Sequence, residues 1–198
     1  MRTSVQKRKT KETDISVKLC LDGGDISVKT GIGFFDHMLT SFAVHSGFGL
    51  GIKADGDLNV DCHHTVEDTG IVLGRAFGET LGGFSGIARF GSFFAPMDES
   101  LAFAAADLCG RPFFVFHADF SQERIGGYDT CMTEEFFRAF AFNAGITLHA
   151  RVEYGSNAHH ETEALFKAVA HALRIAVSPA GKGVLSSKGT LEGKEAFS

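Results

Sequence analysis

Two copies of one pentad, His63-His64-Thr65-Val66-Glu67 and His159-His160-Glu161-Thr162-Glu163, carry most of the chemistry available to this chain. Both read H-H-x-x-E, and an offset of 96 residues, from 63 to 159, separates them in a sequence of 198. Imidazole and carboxylate together bind divalent Mn, Fe, Zn, Co or Ni without help from thiolate. On an α-helix, positions i and i+4 lie one above the other, whereas neighbours diverge by about 100°. His63 and Glu67 can therefore grip one ion while His64 faces elsewhere, and His159 with Glu163 leaves His160 free in the same way. Two such helices brought together would make two sites, each held by one helix and completed by the odd histidine of the other. A single H-H-x-x-E is more often an ordinary set of core or surface residues. Recurrence at half-chain spacing is what argues for metal.

Other residues suit an anion. Arg89 in GIARFGSF, Arg111 in LCGRPFF and Lys188 in SSKG are each flanked by Gly or Ser, which lets backbone approach a phosphate while an Arg fork or a Lys charge holds it. Cys20, Cys62, Cys109 and Cys131 are widely separated and form no C-x-x-C, so neither a disulfide framework nor a thiolate zinc site is indicated. Cys62, beside His63, reads as a small buried thiol.

The elements that must position these groups also come twice. Each pentad opens a helical stretch, continued by DTGIVLGRAFGETL in one half and ALFKAVAHALRIAV in the other, with Gly74 facing Ala170. Ahead of them, FGLGIKADGDLNVDC and AGITLHARVEYGSNA each read as an alternating strand followed by a turn that delivers the helix start. Further upstream, FFDHMLTSFAVHSGF and TEEFFRAFAFNAGI are helical, with aromatics at i, i+3 and i+4. There the offset is 98, which pairs His37 with Glu135. Strands are expected at TDISVKLCLDG, ISVKTGI, SLAFAAADLC and RPFFVFHADF, with turns at Gly23-Gly24 and Gly126-Gly127. Strands that come as hairpins between helices predict an internally duplicated α+β fold, two sheets each covered on one face by helices. The expected division is a first α+β repeat over 1–92, a second over 93–185 and a flexible C-terminal tail over 186–198.

Composition narrows the function. A net charge of −5 and a pI near 6.0 argue against nucleic acid as a partner. The basic ends, MRTSVQKRKTK and GKGVLSSKGTLEGK, could neutralise a small anion locally, or be solvated tails. No apolar run approaches the roughly 18 residues of a membrane span, and the N-terminus lacks a secretory h-region, so a cytoplasmic protein with no membrane partner is expected.

The stretches GIGFFDHML, DCHHTVEDTGIVLG, GRPFF, GYDT, EEFFRAFAFNAGITLH and HHETEALFKAVAHALR, taken together, resemble the imidazoleglycerol-phosphate dehydratase family of histidine biosynthesis. The resemblance runs from residue 8 to residue 189. It implies two four-stranded sheets with the helices sandwiched between them, in halves like ribosomal protein S5 domain 2. It implies a homo-oligomer of 24 subunits with active sites at subunit contacts and two Mn(2+) ions per site. Metal ligands then fall on His37, His63, His64, Glu67, Glu135, His159, His160 and Glu163. Many members have His where Glu135 stands. One ion is expected on His63, Glu67, His160 and Glu135, the other on His159, Glu163, His64 and His37. Substrate contacts map to Glu12, His45, Arg89, Arg111, Ser187 and Lys188, together with the ligands His37, His63, Glu67, His159 and Glu163.

The implied reaction is that of a hydro-lyase: imidazoleglycerol phosphate becomes imidazole acetol phosphate and water. The departing hydrogen sits on a carbon with no adjacent carbonyl, so an ordinary enolate cannot help. A metal-bound imidazolate could instead expel the hydroxyl beside the ring and acidify the neighbouring C–H. Glu12 or Glu163 is the expected base, and His45 or a metal-bound water the expected acid. Alternative readings are a dinuclear metallohydrolase of a small phosphate ester, a metal-storage or assembly scaffold, and a pH-sensitive histidine core.

Overall fold

In the computed structural model, residues 1–181, 183–186 and 191 are described. The expected Ser187 and Lys188, with most of the tail over 186–198, lie outside them. In chain order the elements are β1 (Thr3–Lys9), β2 (Thr13–Cys20), β3 (Ile26–Lys29), α1 (Gly33–Ser46), β4 (Gly49–Gly56), α2 (His63–Leu81), β5 (Phe90–Met97), β6 (Ser100–Asp107), β7 (Phe113–His117), β8 (Arg124–Ile125), β9 (Tyr128–Asp129), α3 (Met132–Ala144), β10 (Thr147–Tyr154) and α4 (Ala158–Ala176). The two main sheets repeat one topology, β1-β2-β4-β3 and β5-β6-β10-β7. Each pairs three strands antiparallel and adds its last strand in parallel to the third.

This connectivity corrects the expected hairpins. The segments 13–23 and 26–32 are not paired with each other, because β4 lies between β2 and β3. The same holds for β6 and β7, which β10 separates. The hairpins are β1–β2 and β5–β6, and Gly126-Gly127 turns only the small ribbon β8–β9. A strand entering α1 and emerging as its parallel neighbour needs that helical crossover. α1 supplies it between β3 and β4, and α3 supplies it between β7 and β10.

Alternation along each strand turns one face inward. Ile15, Val17 and Leu19 of β2 and Leu50, Ile52 and Ala54 of β4 are buried, as are Ala102, Ala104 and Ala106 of β6 with Leu148 and Ala150 of β10. Against these faces lie the helices. α2 packs on β1 and β2, α4 on β5 and β6, and between the sheets α2 meets α3 while α1 meets α4. Each helix pair thus joins one helix from each repeat. The apolar centre is built of aromatic contacts such as Phe35–Phe136 and Phe77–Phe140.

Glycine sets how closely α2 and α3 approach. A Cβ on Gly70 would stand 2.6 Å from the Phe136 carbonyl oxygen, and one on Gly74 would stand 2.5 Å from that of Phe140. Backbone cannot yield as a flexible side chain can. Gly74→Ala is therefore expected to destabilise the fold by about 1–3 kcal/mol, the scale of overpacking, although alanine would gain roughly 1 kcal/mol in an unhindered helix. The midpoint of urea unfolding measures it, and an unchanged or raised midpoint would refute the packing argument.

Candidate metal centre

All four helices carry candidate ligands within their first two turns. His37 lies in the second turn of α1, Glu135 in the first of α3, and the two pentads open α2 and α4. Asn157 caps α4, its side chain accepting from the His159 backbone N–H, and Asp61 does the same for His63 at 2.7 Å.

One convergent group forms among the described residues. His37, His159 and Glu163 each offer a ligand atom, and the three atoms lie within 4.8 Å of one another. Glu163 Oε2 is 3.3 Å from His159 Nε2 and 3.5 Å from His37 Nε2. Phe34 stands edge-on to the His159 ring at 5.0 Å and restricts its position. The Glu163 side chain is only 10% exposed, and its other oxygen accepts from Lys167 Nζ at 2.8 Å. Burial pushes the Glu163 carboxyl up, but Lys167, His37 and His159 outweigh it, and the group lies below the usual glutamate range. Two imidazoles and a carboxylate around one point fit a borderline divalent ion with open positions for substrate.

The second expected set is partly drawn together. His63 Nε2 is 3.6 Å from Glu67 Oε2, as the i, i+4 argument requires. Glu135, on the helix packed against α2, pairs with Arg138. His64 and His160 do not join either group within the chain. His64 Nδ1 lies 3.0 Å from Asp57 Oδ2, and His160 Nδ1 lies 2.8 Å from Glu99 Oε2. These carboxylates raise both imidazole pKa values, and the His160 contact takes Glu99 down to about 2. A carboxylate on Nδ1 leaves Nε2 as the ligating nitrogen, the usual arrangement behind a metal-bound histidine. Asp57 and Glu99 were invisible to motif reading, since they sit in turns with no fixed offset from the pentads.

The expected substrate residues fall into three places. Glu12, in the β1–β2 turn, has its Oε2 4.0 Å from His64 Nε2. His45 Nδ1 is 3.1 Å from Nε2 of His171, a residue that the sequence reading passed over. Arg89 and Arg111 converge on Asp107: Arg89 donates to both its oxygens, at 2.7 and 3.1 Å, and Arg111 Nη2 is 4.0 Å away. Arg89 also donates to the Leu185 carbonyl at 2.5 Å, and its φ of 70° is a left-handed backbone unusual for a non-glycine residue. Its backbone N–H donates to the Ala176 carbonyl, at the far end of α4 from Glu163. From Glu163 to Ala176 the helix rises about 20 Å at 1.5 Å per residue. One small substrate cannot touch both the His37–His159–Glu163 group and Arg89 of a single chain.

Cys20, Cys62, Cys109 and Cys131 are free thiols. No helix among the described residues is long and apolar enough to cross a membrane.

The family model described as Imidazoleglycerol-phosphate dehydratase matches residues 30–173. Curated relatives called imidazoleglycerol-phosphate dehydratase include one from Lacticaseibacillus casei, 55% identical over 194 residues, and one from Bacillus cereus, 56% identical over 194 residues. Each alignment covers 96% of this chain and 100% of the relative. Among solved structures, imidazoleglycerol-phosphate dehydratase from Staphylococcus aureus superposes with a TM-score of 0.81 at 40% identity, covering 89% of this chain and all of that one. The structure from Pyrococcus furiosus gives 0.82 at 36% identity, covering 93% and 99%.

Proposed function

The chain belongs to the imidazoleglycerol-phosphate dehydratase family, and from that membership we propose that it carries out the family's dehydration on two divalent ions held between copies of itself. The activity is that of a hydro-lyase in histidine biosynthesis. The observation that carries the metal reading is the convergence of His37, His159 and Glu163 from the two repeats onto one point. Support for shared sites comes from what a single chain lacks: His64 and His160 point to neither ligand group, and the arginines stand a helix length from Glu163. A homo-oligomer, 24 subunits in the family pattern, would supply them from a neighbour. The two sites are then His37, His159 and Glu163 with another copy's His64, and His63, Glu67 and Glu135 with another copy's His160. Manganese suits these nitrogen and oxygen donors, and Glu135 makes its site harder than an all-imidazole one. A cytoplasmic location fits a biosynthetic enzyme of this family.

When bound, the ions would supply positive charge against the imidazole ring as it loses its proton. The remaining steps belong to the chain. The C–O bond beside the ring breaks, and the hydroxyl leaves as water with the proton that the ring gives up. Glu12, exposed and free of Lys167-like pairing, accepts the proton from the neighbouring carbon, and the resulting enol becomes the ketone phosphate. Burial and the nearby Lys167 hold the His45 pKa below its ordinary value, so at neutral pH it meets the substrate as a neutral hydrogen-bond donor. Arg89, Arg111, Ser187 and Lys188 hold the phosphate of the substrate bound to the neighbouring copy.

Metal analysis of the purified protein, followed by an assay for ketone with each ion restored after chelation, tests this reading. Two ions per chain and recovery with Mn(2+) are expected. Phosphate release in place of ketone would favour the hydrolase alternative, and full activity after complete chelation would overturn the metal reading.

A further inference from the structure

Two helical turns, about 12 Å, beyond the ligand group, α1 and α4 meet again at a second histidine pair. His45 follows His37 by eight residues on α1, and His171 follows Glu163 by eight on α4. Their rings stand edge to face at 5.1 Å, with His45 Nδ1 and His171 Nε2 3.1 Å apart. On its other side His171 stacks against Phe93 of β5, at 4.2 Å between centroids and 24° between planes. That stack fixes the plane of His171. In that plane the nitrogen turned to His45 is Nε2.

We propose that His171 is a positioning residue for the dehydration: its Nε2–H, held by the Phe93 stack, donates to His45 Nδ1 and so sets both the orientation and the tautomer of His45. The inference rests on the reading above, in which His45 touches the substrate. Between two neutral imidazoles an N···N contact holds one proton. If His45 gave it, the remaining nitrogen of His45 would be a bare lone pair facing an oxygen-rich, anionic substrate. If His171 gives it, the proton of His45 sits on Nε2, where a phosphate oxygen of the substrate can accept it. The second arrangement is the one that serves the reaction.

The surroundings keep both rings neutral. Burial lowers the pKa of His45, assisted by Lys167 and opposed by Glu163. Burial also lowers that of His171, assisted by His45 and Arg174. All these charges lie on α4 apart from His45 itself, and β5 presents an uncharged ring. An extra proton on His45 Nδ1 itself would set N–H against N–H and break the contact.

The test is a double-mutant cycle on the metal-loaded full-length protein with imidazoleglycerol phosphate, reading kcat and KM separately. H171L should lower kcat/KM by about 10- to 100-fold, the scale of a misplaced reacting group, with unchanged metal content. H171Q, whose amide can donate from nearly the same place, should recover to within about 3-fold. H45Q should be impaired, and in that background H171L should cost less than about 2-fold more, because contacts acting through one partner are not additive. H171F, which keeps a ring on Phe93 and removes the donor, runs the same cycle if H171L does not fold. The proposal is overturned if H171L or H171F matches wild type, if H171Q is no better than they are, if H45Q is unimpaired, or if the loss persists in the H45Q background. A wild-type protein that leaves the substrate unchanged would instead overturn the reading of the whole site.

Discussion

Glu163→Gln is expected to lower turnover by at least about 10³-fold, because ion binding of this kind contributes several kcal/mol of charge stabilisation and each 1.36 kcal/mol is tenfold. The carboxylate is the hub of the one convergent group found among the described residues. One oxygen faces His37 and His159, and the other accepts from Lys167 at 2.8 Å. A neutral amide cannot serve both sides. Turned one way, its N–H groups point at the ion. Turned the other way, they oppose the Lys167 ammonium. Gln has nearly the same volume, so the fold should persist and the measured loss should fall on ion content, from two per chain towards one. Metal analysis beside a turnover assay decides the matter: two tightly held ions with near-normal kcat would remove Glu163 from the centre.

How much of this could be read from residues alone depends on what each signal measures. The pentads predict α2 and α4 well because i, i+4 chemistry and apolar periodicity coincide there. β1 was hidden, and MRTSVQKRKTK looked like a basic tail. Its inward side carries Ser4, Gln6 and Arg8, which meet Glu79 and Asp68 of α2. Polar side chains satisfied by a helix leave no hydrophobic alternation to detect. β5 was hidden for another reason, since Gly91 and Pro96 interrupt its pattern on an edge strand, where proline is tolerated. Missing these two outer strands is what made 13–23 and 26–32 look like a hairpin.

At the site, residue type singles out His37, His159 and Glu163, which the fold brings together, whereas the residues that contact the other candidates carry no signal in the sequence. Asp57, Glu99, Asp107 and His171 each meet a candidate side chain from a different element. Their partners are settled by sheet register and helix packing rather than by spacing along the chain. The helix pairing is the deeper case. Sequence repetition shows two pentads, but only the packing of α1 on α4 shows that the His37–His159–Glu163 group is drawn from both repeats.

The duplication also separates two carboxylates that began as equivalents. The β1–β2 turn carries Glu12 and the β5–β6 turn carries Asp98 and Glu99, each above the second histidine of a pentad. In the second repeat, Glu99 Oε2 holds His160 Nδ1 at 2.8 Å while its Oε1 accepts from Ser100 Oγ at 3.0 Å. In the first, Asp57 performs that task for His64, so Glu12 stands 4.0 Å off, more than half exposed. A carboxylate freed from orienting a ligand is available to take a proton. Glu12→Gln should accordingly keep both ions and change KM little, while kcat falls by at least about 100-fold, the usual contribution of a positioned acid or base. The amide keeps the size and hydrogen-bonding reach of the side chain and loses only its capacity to accept the proton. Steady-state kinetics beside metal analysis of the same preparation separate the roles: lost ions would make Glu12 a supporting residue for His64, and unchanged kcat would place the base elsewhere.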